Sequence, residues 1–280
     1  MLYFVLFAIY LTSYNISPPN HAVKNLPSAA RQAQIRKRFA ARPGVSASEL
    51  AREFDVSVMT IRRDLMALEG KSHIQRTHGG AVLTERMMLE FDYRDRREHH
   101  RAAKQAIARE ARKLILPGQR LILDTGTTTL ELAALLKDGK DLTVITPSLA
   151  VASELQHALG VEVILLGGVI RRGSPDLTGP ATEHCLEQFA ADFAFQGADG
   201  IGADGAIYNS DLRLARVDKL MRRVAAKSCL LADGTKIGKT ALARNGTLAD
   251  VAIFITDTAA PAAALKRFAR LGTQIITVTP

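Results

Sequence analysis

Cysteine is nearly absent: 280 residues hold two, Cys185 and Cys229, and no Cys-x-x-Cys pair. That excludes a disulfide scaffold and the usual zinc and redox spacings. What remains is two partly buried thiols in a reduced cytoplasm. No apolar run reaches the roughly 20 residues that a membrane-crossing helix needs. The candidate, Met1 to Leu11, also lacks a basic residue in front of it, which an export signal should carry. Ser17-Pro18-Pro19-Asn20 then breaks any helix. Residues 1–27 are therefore a leader with three open readings: a weak export signal, a hydrophobic tail, or a start codon set too far upstream. The third is adopted here, with a native start near Val23. No solenoid repeat is visible. The hydrophobic fraction of 47% and charged fraction of 23% exclude global disorder and a collagen-like chain. The length suggests two domains and a core that needs no staples.

Acid is scarce where base is dense. Residues 21–80 carry eleven Lys/Arg against five Asp/Glu, so +6 of the chain's net +9 sits there. Concentrated positive charge favours a polyanion, although a solvated basic face would look the same. Residues 28–83 read as a compact helical unit ending in a hairpin, and 84–97 as a charge-dense linker. From 98 to 280, helical stretches alternate with short β-branched runs. Strands are expected at 120–124, 142–146, 161–166, 192–196, 228–232, 251–256 and 273–278. Amphipathic helices are expected at 102–116, 128–137, 148–158, 212–226 and 261–270. Such alternation predicts a mostly parallel α/β sheet covered on both faces. The echo Gly-Ala-Asp-Gly at 197–200 and 202–205 reads as paired turns.

In the amino-terminal unit, Ser46-Ala-Ser-Glu49 has the form of a capping box. The helix it opens carries Leu50 and Phe54 on one face and stops at Asp55-Val56. Ser57 then caps a second helix, Val58 to Glu69. Two helices joined by so short a turn form a helix-turn-helix. At 100° per residue, Val58, Ile61, Leu65 and Leu68 share an inner face of the second helix. Met59, Thr60 and Arg63 face outward, with Arg62 on the flank. Guanidinium groups bond guanine edges, and threonine meets a thymine methyl or a phosphate. Free N–H groups at Ser57 suit a phosphate. Gly79-Gly80 suits a hairpin, or wing, from which Arg76 and His78 reach backbone or minor groove. For His73 and His78 the alternative is wing packing; without further Cys or His nearby, no metal is expected.

These residues resemble the signature of the DeoR-type bacterial transcription regulators. Arg31, Ile35 and Phe39 precede a seventeen-residue gap, Ser57 and then Thr60-Ile-Arg-Arg-Asp-Leu65; Arg-Thr-His-Gly-Gly-Ala at 76–81 resembles the family's wing. Phe39 departs from the family's aliphatic preference. The resemblance implies a winged helix-turn-helix that binds double-stranded operator DNA.

In the second unit, the first strand ends in Asp124-Thr125-Gly126-Thr127-Thr128-Thr129, followed by a helix. Hydroxyls and free N–H groups at a helix start favour an anion, and open α/β sheets bind ligands at strand carboxyl ends. The same residues would equally make an ordinary turn with threonine caps. The loop is neither a G-x-G-x-x-G nor a Walker A motif. Lys104-x-x-Ile-Ala108, Asp124-x-Gly-Thr-Thr128, Gly167-Gly168, the turn at 197–202 and Asp233-Gly-Thr-Lys236 are similar to the DeoR sensor domain. That domain resembles ribose-5-phosphate isomerase, glucosamine-6-phosphate deaminase and CoA transferases. By this likeness Asp124 and Thr125 to Thr129 hold a phosphate or sugar, and Asp199 and Lys236 line the pocket. Lys104 is assigned to the scaffold. Residues 208–211 either join the pocket or, through Asp211, cap the helix that follows.

Two departures bear on function. The family often has Thr-Asn where this chain has Thr146-Pro147. Similar pentose isomerases carry Asp-Gly-Ala-Asp-Glu and Lys-Gly-Gly-Gly; here the first is Gln196-Gly-Ala-Asp199-Gly200 and the second is missing. Proton transfer between sugar carbons needs a positioned base, so binding is expected without catalysis. The expectation is a cytoplasmic repressor of a carbohydrate-catabolism operon, released by a phosphorylated sugar. It would use no cofactor, metal or membrane and act as a homodimer or homotetramer, since paired half-sites need paired helices. The alternatives are an isomerase or deaminase with a regulatory DNA-binding appendage, and an architectural DNA binder whose large domain only oligomerises.

Overall fold

The computed structural model describes residues 26–41, 45–69, 74–77, 80–83, 93 and 96–280. The leader to residue 25, His73, His78 and most of the expected linker lie outside the described residues. The chain divides into two compact units between Met87 and Met88.

The first unit consists of α1 (Ser28–Ala41), β1 (Val45–Ser46), α2 (Ala47–Glu53), α3 (Val58–Glu69), β2 (Ile74–Thr77) and β3 (Gly80–Leu83). The capping box forms: Glu49 N–H donates to Ser46 Oγ at 3.2 Å, and Ser46 N–H donates to Glu49 Oε2 at 2.9 Å. Two first-turn donors are thus satisfied by side chains, which fixes where α2 begins. Ser57 Oγ accepts from Thr60 N–H at 3.1 Å and starts α3 in the same way. Between them Asp55 takes a left-handed φ of 53°, which turns the chain sharply. Antiparallel strands in the order β1–β3–β2 complete the unit. Thr77 of β2 pairs with Gly80 of β3. This is the expected winged helix-turn-helix.

The core gathers Ile35, Phe39, Leu50, Phe54, Ile61, Leu65 and Leu68, all buried. The unusual Phe39 is wholly enclosed. Val58, expected on the inner face of α3, is 37% exposed instead. It is the first residue of the helix, and burial along that stripe starts one turn later, at Ile61. The stripe also holds an acid. Asp64 is buried and accepts from Arg31 Nε at 2.6 Å, Ser28 Oγ at 2.7 Å and Gln32 Nε2 at 3.1 Å. Arg31 also donates to the Leu26 carbonyl at 2.7 Å. Burial alone would raise the Asp64 pKa, but these hydrogen bonds and the Arg31 charge hold it below the ordinary carboxylate value.

The second unit is built on seven parallel strands in the order β15–β14–β12–β9–β4–β5–β6. In chain order its elements are α4 (Arg101–Arg112), β4 (Arg120–Leu123), α5 (Thr127–Ala134), β5 (Leu142–Thr146), α6 (Leu149–Leu155), β6 (Val161–Leu165), β7 (Val169–Ile170), β8 (Leu177–Thr178) and α7 (Pro180–Leu186). Then follow β9 (Ala191–Gln196), β10 (Gly200–Ile201), β11 (Ala206–Asn209), α8 (Leu212–Val224), β12 (Ala225–Leu231), β13 (Ala243–Thr247), β14 (Ile253–Asp257), α9 (Ala262–Phe268) and β15 (Gln274–Val278). Every strand expected from the sequence belongs to this sheet. Strand periodicity divides the core between its faces. Leu121, Leu123, Phe193, Phe195, Cys229 and Ile255 cluster with Ile107, Leu132 and Leu155 from α4, α5 and α6. The alternate residues Ile122 and Ala194 cluster with Leu186, Val217 and Met221 from α7 and α8. Burial also pushes the Cys229 thiol pKa well above its usual value, which leaves the group unreactive.

The short strands were not foreseen. The first of the echoed segments ends in β10, and only the second, 202–205, is a turn, leading into β11. Strands β10, β11 and β13 form a small antiparallel sheet.

Asp64→Ala leaves the buried Arg31 guanidinium unpaired, a change that costs about 3–5 kcal/mol. Denaturant unfolding of the first unit in the full chain should shift by that amount. Because the folded carboxyl titrates below its unfolded value of about 4, the wild-type advantage should be full at neutral pH and vanish as pH falls through the acid range. Equal stability of the two proteins at pH 7 would refute the pair's role.

Candidate functional site

On α3 the outward face is formed by Met59, which is 56% exposed, with exposed Arg62 and Arg63 and half-buried Thr60. Thr60 Oγ1 lies 2.9 Å from Ser57 Oγ, so its hydroxyl belongs partly to the cap. Among the described residues neither Arg62 nor Arg63 is in an ion pair. Two unpaired guanidinium groups on an exposed helix can meet phosphates or base edges. Met66, also 56% exposed, lies one turn beyond Arg62 and was missed; the spacing 59, 62/63, 66 carried the signal. Arg76 lies in β2, where it pairs with Ala81 of β3. His78 is outside the described residues.

In the second unit the sheet grows from β4 in both directions, to β5 and β6 on one side and to β9 and beyond on the other. This is a topological switch point, and the crevice above its strand ends is where such sheets take ligands. Asp124 closes it. The carboxylate is buried and accepts from Gly126 N–H at 2.8 Å, Gly197 N–H at 2.5 Å and the Thr129 hydroxyl. Gly197 follows β9, so the bond ties the two diverging strands together. Burial raises the Asp124 pKa, while Thr129 and the two amides oppose that shift. The carboxylate is thus occupied by its own loop, as is the buried Thr129 hydroxyl, 2.7 Å from the Gly126 carbonyl. A side chain at position 126 would put its Cβ 3.0 Å from Asp124 Oδ1 and 3.1 Å from Thr129 Oγ1. Close approach, and not a left-handed φ, requires this glycine.

Thr125, Gly126 and Thr127 are half-buried, and Thr128 is buried. The first N–H groups of α5 have no carbonyl partners within the helix. Beside the loop stands Lys104, which sequence reasoning left in the scaffold. It is buried, and its ammonium donates to the Arg96 carbonyl, which Thr127 Oγ1 also approaches at 3.4 Å. Burial brings the Lys104 pKa down to about 8; the Asp233 carboxylate opposes this, and the charges of Lys236 and Arg96 add to it. Three cations therefore share one electrostatic neighbourhood at the crevice. Lys236 is half-buried and ends a short 3-10 turn, Gly234–Lys236, that Asp233 caps through the Thr235 N–H at 3.0 Å. Asp199 accepts from Ser210 N–H and Oγ, each at 2.7 Å, and its Oδ1 lies 3.8 Å from Arg96 Nη1.

Asp211 caps α8 through the Arg213 N–H at 2.8 Å. Asn209 points into a buried network, donating to Asp218 Oδ2 at 2.8 Å. After β5, Pro147 donates no N–H, but its carbonyl accepts from Leu177 N–H at 2.8 Å, and Leu149 N–H donates to Pro175 at 2.8 Å. These bonds lay residues 175–177 across the end of β5. The loop at the end of β4 thus has donors suited to an anion, beside a buried Lys104 that feels the charges of Lys236 and Arg96. Among the described residues no group of three His, Cys, Asp or Glu side chains could hold a metal ion, and no helix is long and apolar enough to cross a membrane.

Comparison with known proteins identifies both units. Residues 31–87 match the DeoR-like helix-turn-helix domain, and residues 99–258 match the DeoR C terminal sensor domain. A putative aga operon transcriptional repressor of Escherichia coli O157:H7 is 31% identical over 90% of this chain and 94% of its own length. The glycerol-3-phosphate regulon repressor of Escherichia coli strain K12 is 32% identical over 79% of this chain and 88% of its own. A D-ribose-5-phosphate isomerase in complex with phospho-erythronic acid aligns with 48% of this chain and 52% of its own, at 20% identity and a TM-score of 0.37.

Proposed function

The chain belongs to the DeoR family of transcriptional regulators, and from that premise we propose that it is a cytoplasmic repressor of a carbohydrate operon, released from DNA by a phosphorylated sugar. The observation that carries the reading is one chain holding both an α3 face with unpaired Arg62 and Arg63 and a switch-point loop beside the buried Lys104, which feels the charges of Lys236 and Arg96. Ser57, Met59, Thr60, Arg62 and Arg63, with Arg76 and His78 of the wing, contact operator DNA. Thr125, Gly126, Thr127 and Thr128 offer hydroxyls and helix-start N–H groups to the phosphate, with Lys104 and Lys236 supplying charge. Asp124 and Thr129 shape that loop, and Asp199 holds the far wall. Relatives named as repressors of the aga operon and of the glycerol-3-phosphate regulon support the operon class.

Release follows from competition. Lys104 and Thr127 address the Arg96 carbonyl, on the stretch that enters the sensor unit from the DNA-reading side of the sequence. A phosphate claiming those donors changes what holds that stretch. A hundredfold drop in operator affinity asks for only about 2.8 kcal/mol of preference between the two states. The protein acts as a paired assembly, because paired half-sites need paired recognition helices. The isomerase reading fits less well. A base for proton transfer needs a free carboxylate over the substrate, whereas Asp124 and Asp199 each accept bonds from their own loops.

Fluorescence anisotropy of the full chain with DNA from upstream of its own operon, at stated salt and with a panel of sugar phosphates, tests the reading. Specific binding that one sugar phosphate releases is expected; turnover of a sugar phosphate would favour the enzyme. Arg63→Ala should weaken specific binding by about 1–3 kcal/mol, and normal operator affinity would remove Arg63 from the interface. Thr127→Asp puts a negative charge in the cradle. It should abolish the metabolite response and spare DNA binding; an unchanged response would place the pocket elsewhere.

The pH profile gives an independent check. Lys104 titrates at about 8 in the free protein, and a bound phosphate would raise that value. Affinity should therefore be full below pH 8 and fall by up to tenfold per unit above it. Calorimetric titrations between pH 7.5 and 9.5 read this directly. Lys104→Met should flatten the profile, and a flat wild-type profile would take Lys104 out of the site.

A further inference from the structure

Two large apolar side chains of the first unit stay more than half exposed among its described residues, Met59 and Met66, and both lie on α3. Seven residues, at about 100° and 1.5 Å each, return a helix to within about 20° of its starting direction and carry it about 10 Å along its axis. The two thioethers therefore stand in one line, on the side of α3 opposite the buried Ile61, Leu65 and Leu68. Arg62 and Arg63 flank that line, one on each side; both are exposed, and neither is in an ion pair among the described residues. Thr60 is half-buried and shares its hydroxyl with Ser57 at 2.9 Å, so it adds less to the face.

Apolar side chains between two unpaired guanidinium groups need an apolar partner in whatever those groups bind. Residues 21–80 carry +6, so the surface is complementary to a polyanion. The major groove of double-stranded DNA presents polar base edges with one apolar exception, the C5-methyl of thymine. Adenine, guanine and cytosine offer donors and acceptors there. An unbranched, polarisable methionine adapts its shape to such a methyl. Against a polar edge it would displace water without replacing the hydrogen bonds that the water made. About 10 Å along the helix corresponds to about three base-pair steps of 3.4 Å.

We infer that Met59 and Met66 read thymine methyl groups at two positions about three base pairs apart in each operator half-site, flanking the groups that Arg62 and Arg63 engage. The inference rests on α3 being the DNA-reading helix and adds what the apolar part of its face selects.

The test is fluorescence anisotropy of the full chain, at fixed salt, with DNA from upstream of its own operon in which each thymine in turn is replaced by deoxyuridine. That exchange removes the methyl and leaves the hydrogen-bonding edge of the base intact. The wild type should lose about fourfold in affinity at two positions per half-site, as expected for one buried methyl group at each. Met59→Ala should be indifferent to the exchange at one of them, and Met66→Ala at the other. Met66→Leu, which keeps an apolar side chain of similar size, should keep the response. Both methionines are exposed, so neither alanine variant should change the melting temperature. A wild type that binds specifically and responds to no deoxyuridine overturns the inference and leaves α3 as the reading helix. So does a response that survives in both alanine variants, which would assign the methyl to another group. A wild type without specific binding overturns the DNA-reading role of α3 and this inference with it.

Discussion

The carboxylate of Asp124 is the constraint on which the sensor unit depends. It sits where the sheet reverses its direction of growth, and it joins the ends of β4 and β9 by accepting from Gly126, Thr129 and Gly197. Carboxyl groups are expensive to bury in charged form, and here three donors oppose a burial that still raises the Asp124 pKa. Once the donors are supplied, the bend after β4 is fixed, α5 must start at Thr127, and position 126 must be glycine. The anion cradle is a consequence: a loop held from within by its own acid leaves its outward hydroxyls and N–H groups for something else.

An equivalent constraint organises the first unit. Arg31 and Asp64 lie 33 residues apart in sequence and 2.6 Å apart in space. They occupy the two ends of the signature that resembles DeoR regulators, so the buried pair gives those positions a physical reason. Breaking it should loosen α1 from α3 and with it the angle at which Arg62 and Arg63 are presented.

Much of this was legible in the sequence where the signal is local. The capping box, Ser57 and the seven strands of the large sheet each depend on neighbours within one element. Strand ends set by long β-branched runs are hard to mistake. The two-residue strands β7, β8 and β10 are too short for any periodicity, and β13, with Arg, Asn and Gly in its sequence, is polar. Asp64 was invisible for a different reason. A buried acid on an apolar stripe looks like a surface residue until its partner is in view. Lys104 shares that difficulty. It draws its meaning from groups more than twenty residues away, Asp233 and Lys236. The loop 124–129 could be read as a cradle, but not which of its groups were already occupied.

A buried polar network lies behind the switch point, next to β9. Gln196 is locked in a neutral role. Its amide donates to the Asp218 carbonyl at 2.8 Å, and its oxygen accepts from Arg222 at 3.0 Å. Arg222 in turn reaches the Asn245 carbonyl at 2.6 Å, and Asn245 donates to Asn209. Asp218 closes the network, its pKa pushed up to about 8 by burial and by the charge of Asp124, so near neutrality it is largely protonated and serves as a structural acid. General base catalysis asks for a carboxylate with a free lone pair and a pKa near the working pH. Asp218 meets the second demand and fails the first, since Asn209 holds its oxygen. Asp124 and Asp199 are engaged by their own loops. Lys104 and Thr127 are engaged as well, both addressing the Arg96 carbonyl.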